Sequence, residues 1–216
     1  MHIPDGLLPP TVSIAGYGIT GGVTWFCLRQ INKNFDPSQQ IPKASLLTAA
    51  FFLASLIHIP VPPFSIHLVL NGLMGVILGY LAFPAILVGL FFQAVFFQHG
   101  GLTTLGVNAV IMGIPSLLAY QIWLLHKLRW FKQPFGNNIF AFFAGSLGLF
   151  VSALIFVLIT LNTISTDLDV NAEKTAIIAS LSGYMIQGII EGVLTVMLVS
   201  FFTRVKPEIL ESFSNN

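Results

Sequence analysis

The stretch HLVLNGLMGVILGYLAFPAILVGLFFQAVFFQH, residues 67–99, decides the fold. It holds 33 residues without one Asp, Glu, Lys or Arg. One straight helix of that length would measure about 50 Å at 1.5 Å per residue. A bilayer core is only about 30 Å thick. Gly79 and Pro84 supply a break, so the stretch reads as two apolar segments, 67–83 and 84–99. It lies within 83 consecutive uncharged residues between Lys43 and Lys127. A soluble core would need polar outer faces that this run lacks.

Working outward, the chain has 216 residues, 55% of them hydrophobic and only 8% charged. Soluble domains carry roughly 25% charged residues. The expected fold is all-α: a polytopic membrane protein in a cell membrane, with one integral membrane domain spanning 1–216. Seven apolar segments are expected at about 9–28, 44–58, 67–83, 84–99, 105–126, 138–162 and 176–203, after a short external N-terminus at 1–8.

The basic residues test this count. With seven transmembrane helices, the N-terminus outside and the C-terminus cytoplasmic, the inner loops carry Arg29, Lys33 and Lys43, then Lys127, Arg129 and Lys132. Arg204 and Lys206 follow on the inner C-terminus, which leaves only Lys174 outside, as the positive-inside rule requires. Fusing 67–99 into one span would export Lys127, Arg129 and Lys132. The same orientation puts His2, His58, His67 and His99 at the outer ends of segments and His126 at the inner side.

A net charge of +1 with no basic stripe excludes nucleic acid as a partner; the expected surroundings are membrane lipid. The single cysteine, Cys27, excludes an intramolecular disulfide and reads as a small buried hydrophobe. No basic n-region precedes the first apolar run, so the first residues are expected to be those of the mature protein.

Removal of an initiator methionine requires a small second residue. His2 is large, so Met1 is expected to stay. The chain then begins with a free α-amine, the His2 amide and the His2 imidazole. A metal on all three nitrogens closes a five- and a six-membered chelate ring in one plane, leaving one corner of a square open. Square-planar nitrogen coordination suits Ni(II) or Cu(II), and Co(II) accepts related geometry. Pro4, Asp5 and Gly6 read as a stiff turn that returns the chain to the membrane.

His67 is the candidate for the fourth corner. It opens the third segment after a loop, Ile59 to Ser65, with three prolines. Spacing alone leaves open whether it is a ligand or an interfacial helix cap. Asn71, four residues on, would share its helical face and could orient its ring. A third cluster, Gln98-His99-Gly100-Gly101-Leu102-Thr103-Thr104-Leu105-Gly106-Val107-Asn108, reads as a helix cap and turn. Its polar residues Gln98, His99, Thr103, Thr104 and Asn108 are expected to form a supporting network, because polar groups in lipid must be satisfied. Contact of His58 or His99 with the metal stays open.

Glu191 is the one acidic residue inside a span and should face the bundle or a partner. A subunit contact or coupling role is expected for it, at a depth nearer the cytoplasm than the histidines. Gly18 with Gly22, Ala50 with Ala54, and Gly75 with Gly79 have the four-residue spacing that lets helix backbones approach.

Met-His-Ile-Pro-Asp-Gly at 1–6, Ser-Ile-His-Leu-Val-Leu-Asn-Gly-Leu-Met-Gly at 65–75, the 98–108 cluster and Glu-Gly-Val-Leu-Thr at 191–195 occur in the order and spacing of one family. On these residues the chain resembles, over essentially its whole length, the CbiM/NikM family. Those proteins are the substrate-capture subunits of cobalt and nickel energy-coupling-factor (ECF) transporters. The resemblance implies a seven-helix fold with an extra N-terminal helix. It implies Ni2+ or Co2+ as transported ligand, held by the Met1 amine, the His2 amide and imidazole, and His67, with no organic cofactor. It also implies partners: a transmembrane coupling subunit docked on the Ala50–Ala54 face, two ATPase subunits, and room for a small accessory membrane subunit. The chain itself has no Gly-x-x-x-x-Gly-Lys-Ser/Thr nucleotide loop, so binding rather than catalysis is the expected work. Pro63-Phe64 stand where relatives often have smaller polar residues, which leaves the choice of nickel or cobalt open.

Two other classes compete. A stand-alone nickel/cobalt permease would carry acidic and histidine residues within its spans, where this chain has only Glu191. A membrane metalloenzyme would need an HExxH-type ligand set, and the sequence has none.

Overall fold

The computed structural model describes residues 1–34, 37–61, 64–127, 135–163 and 170–211. Helix α1 (Pro10–Asn34) follows an irregular N-terminal hook, and α2 (Pro37–Ala54) follows α1. A two-stranded antiparallel ribbon, β1 (His58–Val61) and β2 (Phe64–His67), leads to α3 (Asn71–Leu78). A 3-10 turn, Gly79–Leu81, leads into α4 (Ala82–Phe97), followed by α5 (Leu105–Leu124), α6 (Phe135–Asn162), α7 (Val170–Val205) and the short α8 (Glu208–Glu211).

Among the described residues, five stretches are long and apolar enough to cross a membrane: Pro10–Lys33, Asn71–Phe97, Leu105–Leu124, Gly136–Thr163 and Ile177–Val205. Gln40–Ala54 is a shorter apolar helix. Large apolar side chains point outward from most of these helices, Ile14, Trp25, Phe96, Leu154 and Met197 among them. Lipid solvates such a surface, whereas water would make it an aggregation site. The protein is a helical, multi-pass membrane protein.

The 67–99 stretch folds back on itself. Gly79, at φ 55 and ψ −126, ends α3 in a backbone conformation that side chains disfavour. Pro84 falls in the first turn of α4, where its missing N–H costs no helix bond, so the break belongs to Gly79. The ring nitrogens of His67, before α3, and His99, after α4, approach within 4.8 Å. The ends of a straight 27-residue helix would lie about 40 Å apart. The chain therefore reverses at Gly79–Leu81 and returns to the face it left.

One expectation is corrected here. His67 does not open a helix; it ends β2 opposite His58, and α3 starts only at Asn71. Prolines in the preceding loop fix φ and remove backbone donors, which favours an extended ribbon over a helix. Pro62, Pro63, Arg129 and Lys132 lie outside the described residues.

Helix α5 is central and packs on α1, α3, α4 and α6, while α6 carries α7. The tight α1–α5 approach is at Gly16 and Gly106: a Cβ on Gly106 would lie 2.7 Å from the Gly16 carbonyl carbon. Gly18 and Gly22, expected to pack, have no neighbour within 4 Å of their Cβ positions; that face is exposed. Gly75 does pack, against Ser116 and Ala119 of α5. Ala50 is exposed and Ala54 half-buried on α2. Cys27 is free and buried.

Candidate metal centre

A chain terminus ordinarily frays. Here Met1 and Ile3 are buried, at 6% and 1% exposure. The Ile3 N–H donates to Asn108 Oδ1 at 2.9 Å. The Ile3 carbonyl accepts from Thr104 Oγ1 at 2.6 Å and Asn108 Nδ2 at 3.0 Å. Two residues on, the Asp5 carboxylate accepts from the Thr103 N–H and hydroxyl at 2.8 and 2.5 Å and from the Leu102 N–H at 3.1 Å. Residues 1–6 thus form a hook pinned to the α4–α5 corner. The pin depends on Gly101, whose Cβ would sit 2.6 Å from the Asp5 nitrogen.

The hook delivers His2 to two other histidines. The His2 ring centroid lies 4.1 Å from that of His99 and 5.9 Å from that of His67, and one nitrogen from each ring lies within 4.8 Å of the other two. Gln93 Oε1 can only accept a hydrogen bond, so the His2 Nε2 that meets it at 3.0 Å carries the proton. Neutral His2 then has its lone pair on Nδ1, which is buried and has no hydrogen-bond partner among the described residues. Nδ1 is the nitrogen that closes a six-membered ring with the His2 amide. Burial lowers the Met1 amine from 8.0 to about 5. Burial also pushes His2 well below its ordinary value, helped by the nearby N-terminus, His99 and His67, and opposed by the bond to Gln93. Both nitrogens are neutral near pH 7, as donors to a metal must be.

His67 is held from the other side. Gln187 Nε2 donates to the His67 carbonyl at 2.5 Å. Glu191 accepts the Val69 N–H at 2.5 Å and the Leu70 N–H at 3.1 and 3.2 Å on its two oxygens. Glu191, expected at a subunit contact, is 1% exposed with both carboxylate oxygens engaged inside the chain. This is a correction with a simple cause: the non-helical 68–70 turn offers the N–H donors that a buried carboxylate requires.

The Asn71 amide is engaged with α6. It donates to the Gly148 carbonyl at 3.1 Å and Ser152 Oγ at 2.6 Å, which ties α3 to α6. Helical spacing does not apply, because His67 lies on a strand. Gln98 is exposed and serves through its backbone, taking the left-handed cap of α4 at φ 52. The polar role expected of it belongs to Gln93, which accepts from His2, donates to Ser55 Oγ, and receives the His99 N–H on its carbonyl. Gln93, Ser55 and Asp5 were absent from the expected site. A single glutamine within the otherwise apolar run Ala82–Phe97 was the available signal for the first. Thr103 bonds Asp5, Asn108 bonds Ile3, and the His99 ring stands beside that of His2; the His58 side chain lies outside the described residues.

Comparison with known proteins identifies the family and the fold. The family profile described as the cobalt uptake substrate-specific transmembrane region, CbiM, matches residues 2–209. A Haemophilus influenzae protein named for metal transport is 37% identical over 123 residues, 57% of each chain. The fused nickel transport protein NikMN of Rhodobacter capsulatus is 33% identical over 116 residues, 53% of this chain and 33% of that one. These matches thus span little more than half, and a third, of the relatives' own lengths. A solved transition metal transporter superposes with a TM-score of 0.75 at 24% identity, covering 99% of this chain and 98% of its own, and shows the same fold. A profile match across nearly the whole chain settles the kinship: the protein belongs to the CbiM family.

Proposed function

We propose that the protein captures Ni2+ or Co2+ at the outer face of the cell membrane, as the substrate-specific subunit of an ECF importer driven by separate ATPases. The Met1 amine, the His2 amide and Nδ1, and the His67 imidazole form the plane around the ion. His99 lines the pocket beside His2, with Gln93, Asp5, Thr103 and Asn108 holding the hook. Seven segments enter the membrane with the N-terminus outside, Asn71–Phe97 supplying two because it reverses, and the eight-residue α3, about 12 Å long, reaches only part of the way across. The coupling subunit docks on α2 around Ala50 and Ala54.

The observation that carries this reading is the meeting of three imidazoles within 4.8 Å beside a buried α-amine and a partnerless His2 Nδ1. In that plane the His2 and His67 ring nitrogens are neighbours, about 2.9 Å apart for bonds near 2.0–2.1 Å. The cluster, within 4.8 Å, therefore draws together by up to about 2 Å around the ion. Among the described residues no carboxylate joins it, and an all-nitrogen set favours a late transition metal over Mg2+ or Ca2+. The family is described by cobalt uptake and one relative is named for nickel, so both ions stand.

Uptake assays separate the importer from a stand-alone permease. Cells expressing the chain with its coupling subunit and ATPases should accumulate Ni2+ or Co2+, and loss of ATPase activity should abolish this. Equal accumulation by the chain alone, without nucleotide, would establish the permease. Titration of the purified protein with each ion gives the preference between them.

A further inference from the structure

Four proposed ligand nitrogens are mounted on two separate supports. The hook, with Met1 and His2, is pinned to the α4–α5 corner through Thr103, Thr104 and Asn108. His67 is pinned to α7. Between β2 and α3 no helix fixes its backbone, and Leu70 sits at φ 56 and ψ 9. Leucine rarely adopts this left-handed conformation, and it persists only where the surroundings over-determine it. Those surroundings are Gln187 and Glu191, one turn apart on α7, both buried. Between them they engage the carbonyl of His67 and the N–H groups of Val69 and Leu70. Behind them α7 is locked to α6: Ser146 Oγ donates to the Gly188 carbonyl at 2.8 Å, and a Cβ on Gly145 would lie 2.8 Å from the Glu191 carbonyl oxygen.

We propose that Gln187 and Glu191 are positioning residues that aim His67 at the ion, and that displacement of α7 relative to the α4–α5 corner withdraws His67 and opens the site. This rests on His67 being a metal ligand. A shift of α7 carries the 67–70 backbone with it, because three backbone polar groups there bond to α7 side chains. The hook stays behind. Removing one of four planar donors leaves the three-nitrogen chelate, which holds the ion more weakly and exposes one side of it. Glu191 thereby gains a reason to be acidic in an apolar helix: two N–H groups at a left-handed corner converge on it.

A double-mutant cycle on the purified full chain tests this, reading Ni2+ affinity by calorimetry and the visible absorption of the bound ion. His67→Ala should weaken binding and shift the spectrum. Glu191→Ala and Gln187→Ala should each weaken it about tenfold or more and shift the spectrum toward that of His67→Ala. In the His67→Ala background neither should weaken binding further. Glu191→Gln, which keeps an acceptor, should restore part of the loss. Asn108→Ala, on the other support, should combine additively with Glu191→Ala. If Glu191→Ala costs as much with His67 absent as with it present, the positioning role is overturned while the metal site stands. If His67→Ala binds like the unaltered protein, the ligand set fails and this inference with it. Should Glu191→Ala not fold, the Gln187→Ala and Glu191→Gln cycles read the same coupling.

Discussion

Asn108 offers a direct handle on the hook. Replacing it with alanine leaves the Ile3 carbonyl bonded to Thr104 Oγ1 but orphans the Ile3 N–H, whose acceptor among the described residues is Asn108 Oδ1. Ile3 is 1% exposed, so water cannot take over while the hook is docked. An unsatisfied buried donor costs about 1–3 kcal/mol. That penalty acts on the docked state alone, since an undocked hook is hydrated. Metal capture requires docking, so the apparent dissociation constant rises as the docked fraction falls. The ceiling is about 5- to 150-fold at 1.4 kcal/mol per factor of ten. Asn108→Asp separates the two halves of the contact: a carboxylate still accepts the N–H but opposes the Ile3 carbonyl, so it should fall between wild type and alanine. Calorimetric titration with Ni2+ in detergent measures the affinity, and thermal melting without metal checks that the helices are intact. Affinity of Asn108→Ala within twofold of wild type, with an unchanged melt, would refute the idea that docking gates capture.

Other consequences follow from the same contacts. With the Met1 amine lowered to about 5, the docked hook binds fewer protons than the undocked one between pH 5 and 8. Docking should therefore strengthen as pH rises through that window and weaken as it falls. At pH 7 capture should release about one proton per ion, from the His2 amide, rather than the roughly two expected of an amine with its ordinary value; titrations in buffers of different ionisation enthalpy count them. Gly101→Ala drives a methyl group against the Asp5 backbone and should cost metal affinity with little change in helix content by circular dichroism. Gln93→Leu removes the group that sets the His2 tautomer and should weaken binding about 10- to 100-fold, whereas Gln98→Leu, on an exposed side chain, should not.

The membrane class and the reversal at 67–99 were legible because both follow from simple quantities: charge density and segment length against bilayer thickness. His2 entered the candidate site through the chelate geometry of a Met-His terminus, whereas spacing left His67 open between ligand and helix cap and only the family resemblance chose it. What failed was periodicity at element junctions. Reading His67 and Asn71 as helical neighbours assumed that α3 began at 67, when the prolines before it had already imposed an extended ribbon. Gln98 was singled out and Gln93 passed over because a residue beside the histidine looks closer in sequence than one a turn and a half earlier, yet it is the Gln93 side chain that reaches His2. Glu191 was expected to face the bundle or a partner, and the preference went to a subunit contact because its internal partners are backbone N–H groups, which every residue carries and no sequence pattern marks.

The central claim is that the chain's own N-terminus is three-quarters of the metal site. Intact mass and N-terminal analysis of the purified protein should first establish a free Met1 amine. Ni2+ titration of that protein beside a version extended by one residue before Met1 then tests the claim most directly. The account predicts tight binding by the native terminus and its loss on extension, because the amine leaves chelate reach. Equal affinity in the two would contradict it.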